Sequence, residues 1–349
     1  MSRILSFETL ERILGAAPGV SIGVLGDMFL DRYLEIDRSL DEPSVETGLT
    51  AYQVTRVRSH PGAAGTVVAN LAALGVGRIV PFAFAGDDGE GYELRMALKA
   101  TPGVDLSGLV PCPERRTPTY TKPMHHHSGR QAVEDHRLDI KNRLPTPPSV
   151  IEAIAERLNA ALDGLDALLV LDQVSEADCG VVTATMRKHL VGWSDAKPDL
   201  FMLGDSRELV HLLSGLALKP NRAECRSALE RLGLPAPEEP DAMALELARA
   251  MGRPVFLTVG EEGMVVAGHN SGTERAPGFP VAGPTDPVGA GDSTSAGLLL
   301  AKAAGATALE ASAFGCLVAS ITVAQIGVTG TASPAQLRAA LLHHAGSSA

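Results

Sequence analysis

Aromatic residues are scarce in this chain. They make up 4% of its 349 residues, so the core must be built from aliphatic side chains, as in helices packed tightly on aliphatic strands. Blocks of Lys and Arg are also missing, and the formal net charge is −11. That balance argues against a general binder of DNA or RNA phosphates. Cys112, Cys179, Cys225 and Cys316 are widely scattered and form no Cys-x-x-Cys pair. Neither a zinc site nor a disulfide framework is indicated, and a reduced, cytoplasmic protein is expected. No apolar run is long enough for a membrane span. The most apolar late stretch, SAFGCLVASITVAQIGV, is broken by Ser320, Thr322 and Gln325, short of the roughly 20 residues required. The N-terminal MSRILSFETLERILG carries acids early and reads as a helix rather than a signal peptide. No internal repeat is evident.

What the chain does contain is alternation. VSIGVLGD reads as a first strand that breaks at Gly26-Asp27. In open parallel sheets ligands bind at that carboxyl edge. Two polar, β-branched segments, about 32–60 and 110–138, interrupt the helical pattern and suggest a small sheet outside the main one. Between them AAGTVVANLAALG reads as a helix closed by Gly75, followed by the strand RIVPFAFAG. From about residue 150 strands and helices alternate regularly. The helices include CGVVTATMRKHLVG at 179–192 and a final set near 292–304, 308–326 and 334–344. Such alternation means βαβ units and a mostly parallel sheet. PAPEEPD at 235–241 is a loop within this alternation, so the chain reads as one domain over 1–349.

Four short elements carry the chemistry. Gly289-Ala290-Gly291-Asp292 opens a helical run. Small residues leave backbone amides unobstructed, and a helix start adds its positive end. An anion site with Asp292 as general base is one reading; a simple Asp N-cap is the other. In KPNRAE, Asn221 and Glu224 stand three apart at a helix start. They could face Mg²⁺ or its waters, or they could cap the helix. Thr258, Gly260 and Gly263 form a strand-end turn suited to a nucleotide or to an ordinary hairpin. Asp27 could accept sugar hydroxyls or hold a turn, and Asp172 and Asp205 also end strands.

Order and spacing join these elements. Taken with HPGAAGTVVANLAALG at 60–75, they resemble the ribokinase-like (PfkB) family of carbohydrate kinases over roughly 20–335. DPVGAGDS is similar to that family's C-terminal signature, and GAAGTVVANLAALG to its N-terminal one. The resemblance implies a three-layer α/β/α fold with a mostly parallel central sheet. It implies a small β lid, here segments 32–60 and 110–138. It also implies ATP-dependent phosphoryl transfer to a sugar hydroxyl. By position, Asp292 would be the base, with Gly289, Ala290 and Gly291 as anion hole. Asn221 and Glu224 would serve Mg²⁺ and phosphate. Thr258, Gly260, Gly263, Asp205 and Gly327 would lie along the nucleotide, and Asp27, Gly62 and Thr66 along the sugar. Asp286 and the loop 327–333 resemble the family's monovalent-cation and adenine region, which brings in K⁺.

The sequence departs from the family where the sugar would sit. The usual Gly-Gly pair is Gly62-Ala63, and the usual Asn is Thr66, whose hydroxyl cannot offer an amide's donor and acceptor together. Within the family, GDMFLDRY, RRTPTYTKPM and GDSRELV look most like heptose-phosphate kinases of the RfaE kind. Arg115, Arg116, Lys122, Arg130 and Arg137 would then be available to a phosphorylated sugar. A nucleoside kinase of the same fold and a silent sugar sensor are the rival readings. His125, His126 and His127 sit in a strand-like run whose neighbours alternate faces, which favours exposure over a closed metal site. The bare edges of an open lid point to a homodimer formed through it.

Overall fold

The computed structural model describes residues 4–127, 132–327 and 329–346. Arg130 and Val328 lie outside the described residues. Nine strands form the main sheet among the described residues. Edge to edge they are Gly272–Pro277, Gly263–Gly268, Val255–Thr258, Ala217–Leu218, Phe201–Ser206, Ala167–Asp172, Ser21–Gly26, Arg78–Gly86 and Leu109–Cys112. All neighbours are parallel except at one edge, where Gly263–Gly268 runs antiparallel both to Val255–Thr258 and to Gly272–Pro277. In Ala167–Asp172 five consecutive residues, Ala167 to Leu171, are completely buried. Successive strand residues point to opposite faces, so helices must cover both sides, and the strand is correspondingly apolar throughout. Helix Ala290–Ala303 packs on both Ala64–Ala73 and Ala308–Thr322; Pro148–Ala161 packs on Ala184–Ala196, and Arg222–Arg231 on Pro240–Met251. No helix among the described residues is long and apolar enough to cross a membrane.

A second, smaller sheet stands beside the first. Its strands are Leu138–Ile140, Thr119–His126, Met28–Asp37 and Val54–Ala63, with Val133–Glu134 also paired to Thr119–His126. The chain passes from the main sheet into this one through a single residue, Asp27, between Gly26 and Met28. Helix Gly89–Ala100 props it: Glu93 accepts from Arg32 Nη2 at 2.7 Å and from Ser59 Oγ at 2.6 Å.

Three local features differ from the sequence reading. The stretch beginning at 110 does not start in the small sheet, because Leu109–Cys112 pairs with Arg78–Gly86 at the edge of the main one. The helix expected from 179 starts at Ala184, capped by Thr183. Residues 179–181 instead form a loop whose backbone is held by Arg115 and Asp27. Helix Gly89–Ala100 was not read from the sequence; its inward stripe is only Gly91, Leu94 and Leu98.

Candidate active site

The carboxyl ends of the parallel strands bring Asp27, Asp172, Asp205, Lys219 and Thr258 to one edge. Helix Ala290–Ala303 starts against this edge. Its cap is Gly289, at φ +79°, ψ 0°, a left-handed conformation that costs glycine little. A Cβ there would lie 2.9 Å from Thr329 Cγ2 and 3.8 Å from Thr66 Cγ2. Asp292 is therefore the third helical residue and not the cap. The Ala290 N–H is spent on Pro287 O at 3.1 Å, and the Ser293 N–H closes the first turn on Gly289 O at 2.9 Å. Among the described residues the N–H groups of Gly291 and Asp292 have no acceptor. Two amides thus stay open at the positive end of a fourteen-residue helix. Burial, and then the charge of Asp205, push the Asp292 carboxyl up to about 7, while Lys219 and Arg207 pull it back in part.

Asn221 and Glu224 make a complete capping box. Asn221 Oδ1 accepts the Glu224 N–H at 2.9 Å, and Glu224 Oε2 accepts the Asn221 N–H at 2.8 Å. This leaves Glu224 Oε1 unspent, an oxygen donor of the kind Mg²⁺ takes directly or through water. Burial holds the Glu224 carboxyl above its ordinary value. Thr258 secures the same turn, giving its N–H to Pro220 O at 2.9 Å and its hydroxyl to the same oxygen at 3.4 Å. Gly260, at φ +64°, and Gly263, at φ +102°, bound the short turn that follows. Asp286 ties its own turn to the loop at 327, accepting from Val288 N–H at 3.0 Å and Gly327 N–H at 3.3 Å.

The pairing of Lys219 with Asp205 was not legible in the sequence. Lys219 is 4% exposed, with Nζ 2.9 Å from Asp205 Oδ2. The same carboxylate oxygen accepts from Ser295 Oγ at 3.1 Å. Asp205 therefore faces a lysine and helix Ala290–Ala303 rather than open solvent. Burial disfavours the ammonium, yet Asp205, Glu224 and Asp292 outweigh it and hold Lys219 charged.

On the other side of the edge, Asp27 is 3% exposed, and both its oxygens accept loop amides: Val181 N–H at 2.8 Å and Gln173 N–H at 3.2 Å. Burial nevertheless raises it to about 6. Gly62 abuts Asp31, whose Oδ2 would lie 2.7 Å from any Cβ. Ala63 adopts φ +52°, ψ −120°, a backbone that costs glycine little and strains alanine. Thr66 is 6% exposed in the helix that follows. The basic residues are not equivalent. Arg115 is 7% exposed and donates to Leu144 O and Cys179 O, so it staples a loop. Arg116 pairs with Asp88 and Glu90. Lys122 lies 3.4 Å from Asp31 and donates to Tyr33 Oη at 3.0 Å; Arg137 pairs with Asp139 over the Tyr120 ring. His125 lies between Arg38 and Asp135, and His126 pairs with Glu35. Among the described residues no group of three His, Cys, Asp or Glu side chains is arranged to hold a metal.

The sequence profile described as "pfkB family carbohydrate kinase" matches residues 28–336. The chain belongs to the pfkB family of carbohydrate kinases. Among curated relatives, a bifunctional protein HldE of Caulobacter vibrioides is 30% identical over 334 residues, covering 95% of this chain and 65% of the relative. The chain thus spans about two thirds of the length of that protein. Among solved structures, phosphofructokinase-2 from Escherichia coli in complex with potassium aligns with a TM-score of 0.68 at 17% identity, over 93% of this chain and 99% of the other. Arabidopsis thaliana ribokinase complexed with ribose and ATP aligns with a TM-score of 0.63 at 17% identity, over 92% and 98%. These alignments show the ribokinase-like fold, with its large, mostly parallel sheet and small separate sheet.

Proposed function

We propose that this pfkB-family protein transfers the γ-phosphoryl group of MgATP to a hydroxyl of a sugar or sugar phosphate, with Asp292 as general base. The observation that carries the reading is the meeting of two elements. The helix start that holds Asp292 and two open amides lies against the helix of Thr66, which follows the Gly62-Ala63 turn. An acceptor hydroxyl held by the Gly62–Thr66 side would lie beside the Asp292 carboxylate. The open amides would receive the equatorial oxygens of the transferring group. Mg²⁺, held through Glu224 Oε1 and water, would neutralise phosphate charge. Asp286, shared between two loops, is the residue we assign to K⁺. The small sheet acts as a lid that excludes water from the transfer.

The test is ADP release over a panel of sugars and sugar phosphates that includes heptose phosphates. Release with one acceptor, lost in Asp292→Asn, is the expected outcome. Acceptor binding without ADP release would favour a silent sensor instead. The small-sheet region also exposes Leu40, Val45, Leu49, Tyr52, Val54 and Val57. We assign this surface to pairing of two lids, so light scattering should give twice the chain mass. Val57→Lys with Leu49→Lys should return the monomer.

A further inference from the structure

Loop 173–181 is tied at both ends to one carboxylate. It leaves the main sheet after strand Ala167–Asp172 and leads to helix Ala184–Ala196. Asp27 Oδ2 accepts the N–H of Gln173, its first residue, at 3.2 Å, and Oδ1 accepts that of Val181, its last, at 2.8 Å. Gly180 packs on the same group. A Cβ there would lie 2.7 Å from Oδ1, 3.0 Å from Oδ2 and 3.1 Å from Val174 Cβ. The loop has the joined ends of an Ω-loop, and with it in place Asp27 is 3% exposed.

The closed arrangement is both held and opposed. Arg115 Nη2 donates to Cys179 O at 2.8 Å, and Thr146, itself buried, donates Oγ1–H to Gly180 O at 2.7 Å and its N–H to Asp178 O at 2.8 Å. Two costs stand against these bonds. Asp178 is left-handed at φ +55°, unfavourable for a residue with a Cβ. Asp27 is kept out of water, and burial raises its carboxyl to about 6 despite the loop amides and the charge of Arg115.

Asp27 also stands where a ligand of this fold would lie. It is the single residue between main-sheet strand Ser21–Gly26 and small-sheet strand Met28–Asp37, at the carboxyl edge of a parallel sheet. A hydroxyl that donates there needs the oxygens that Gln173 and Val181 hold.

We propose that loop 173–181 is a gate over the acceptor site, closed in this structure on the Asp27 carboxylate, and that acceptor hydroxyls bind Asp27 only when the Gln173 and Val181 amides leave it. This rests on the kinase reading above. The apparent acceptor affinity is then lowered by the fraction of molecules whose gate is open.

Two variants raise that fraction without replacing Asp27. Gly180→Ala puts a methyl group against the carboxylate, and Thr146→Val removes one hydroxyl that holds the loop. Hydrogen–deuterium exchange is followed on the full chain alone. The acceptor KM and kcat are read from ADP release with the sugars and sugar phosphates of the panel above. Gly180→Ala should speed exchange within 173–181 at least tenfold, the loss of one charge-assisted hydrogen bond or more. The main-sheet strands should exchange as before. The acceptor KM should fall about threefold or more, with kcat within about twofold. Thr146→Val should move exchange and KM in the same directions by less, and it gives the same comparison if Gly180→Ala does not fold. In either variant, faster exchange with an unchanged or higher KM would overturn the proposal, because the loop would then build the site rather than close it. Unaltered exchange in both would overturn it as well. Failure of the kinase reading looks different: the unmodified protein would release no ADP with any member of the panel, and the gate would fall with that reading.

Discussion

Replacing Asp292 by Asn should make the protein more stable while it removes turnover. In the folded chain burial and the nearby Asp205 raise this carboxyl from an ordinary 3.8 to about 7. A shift of that size means that the ionised form costs the fold roughly 4 kcal/mol relative to the unfolded chain. Asp292 is only partly buried, so water screens a share of this, and about 1–3 kcal/mol should remain. The sign depends on pH. Above about 7 the aspartate is ionised in both states, and only the folded state carries the penalty. Between about 4 and 7 the folded state binds a proton that the unfolded state has released, so the penalty shrinks as pH falls. Asparagine carries none of it at any pH. For a chain of 349 residues, 1–3 kcal/mol corresponds to about 1.5–4 °C in Tm.

The assay is thermal unfolding of both proteins at pH 5 and pH 8. Asp292→Asn should melt higher at pH 8, and the gap should narrow towards pH 5. Turnover of the unmodified protein should rise about ninefold from pH 6 to pH 8, as the base goes from roughly one tenth to nine tenths ionised. A variant that melts lower at pH 8, or a gap independent of pH, would refute the account of a strained, desolvated base.

Other residues offer simpler tests. Ala63→Gly removes an alanine from φ +52°, ψ −120°; relief of about 1–3 kcal/mol, less the entropy of a glycine, should raise Tm by 1–2 °C on a scale of about 1.4 °C per kcal/mol. An unchanged or lower Tm would mean that the strain is absent. Asn221→Ala dismantles the capping box, so it should cost about 1 kcal/mol in urea unfolding and raise the Mg²⁺ concentration needed for half-maximal turnover. Stability loss with unaltered Mg²⁺ dependence would reduce Asn221 to a cap. Arg115→Met leaves the part-buried carbonyl of Leu144 and the buried carbonyl of Cys179 without their donor. It should cost about 2–4 kcal/mol and admit limited proteolysis within 173–181; a protected loop would contradict the stapling role.

The architecture was legible because it rests on local patterns. Buried parallel strands such as ALLVLD read as continuous apolar runs, and Asn221 with Glu224 carries the spacing of a capping box. What was hidden depends on side chains meeting across the fold. A lysine before a proline reads as a solvated loop residue. It is buried only because Asp205, fourteen residues earlier, and Ser295, on a helix at the far end of the chain, converge on one point. Arg115 reads as a lid cation, but the carbonyls of Leu144 and Cys179, 29 and 64 residues further on, turn its guanidinium into a staple. A cap stayed open as a reading of Asp292 beside the base, because nothing in the sequence says that the chain turns left-handed at Gly289, one turn earlier.

On the kinase reading proposed above, this convergence bears on how an acidic chain would serve a polyanion. A net charge of −11 describes the surface as a whole and not the strand edge. Around the helix start stand three carboxylates, Asp205, Glu224 and Asp292, and the cations Lys219 and Arg207, which act on them electrostatically. The local sum is one negative charge. Asp205 and Lys219 cancel each other at 2.9 Å, which leaves Arg207 against Glu224 and Asp292. Two open amides supply direction and partial charge but cannot offset a triphosphate. On this count the protein side of the site is built to place phosphate oxygens rather than to neutralise them. On that kinase reading, the missing positive charge would arrive with the nucleotide, and Glu224, with one oxygen unspent among the described residues, is where a divalent ion would dock. An Asp205→Asn change adds a positive charge to this sum yet loosens the lysine. If the site worked by net charge alone, that variant would bind MgATP more tightly; if it works by position, it will bind less tightly.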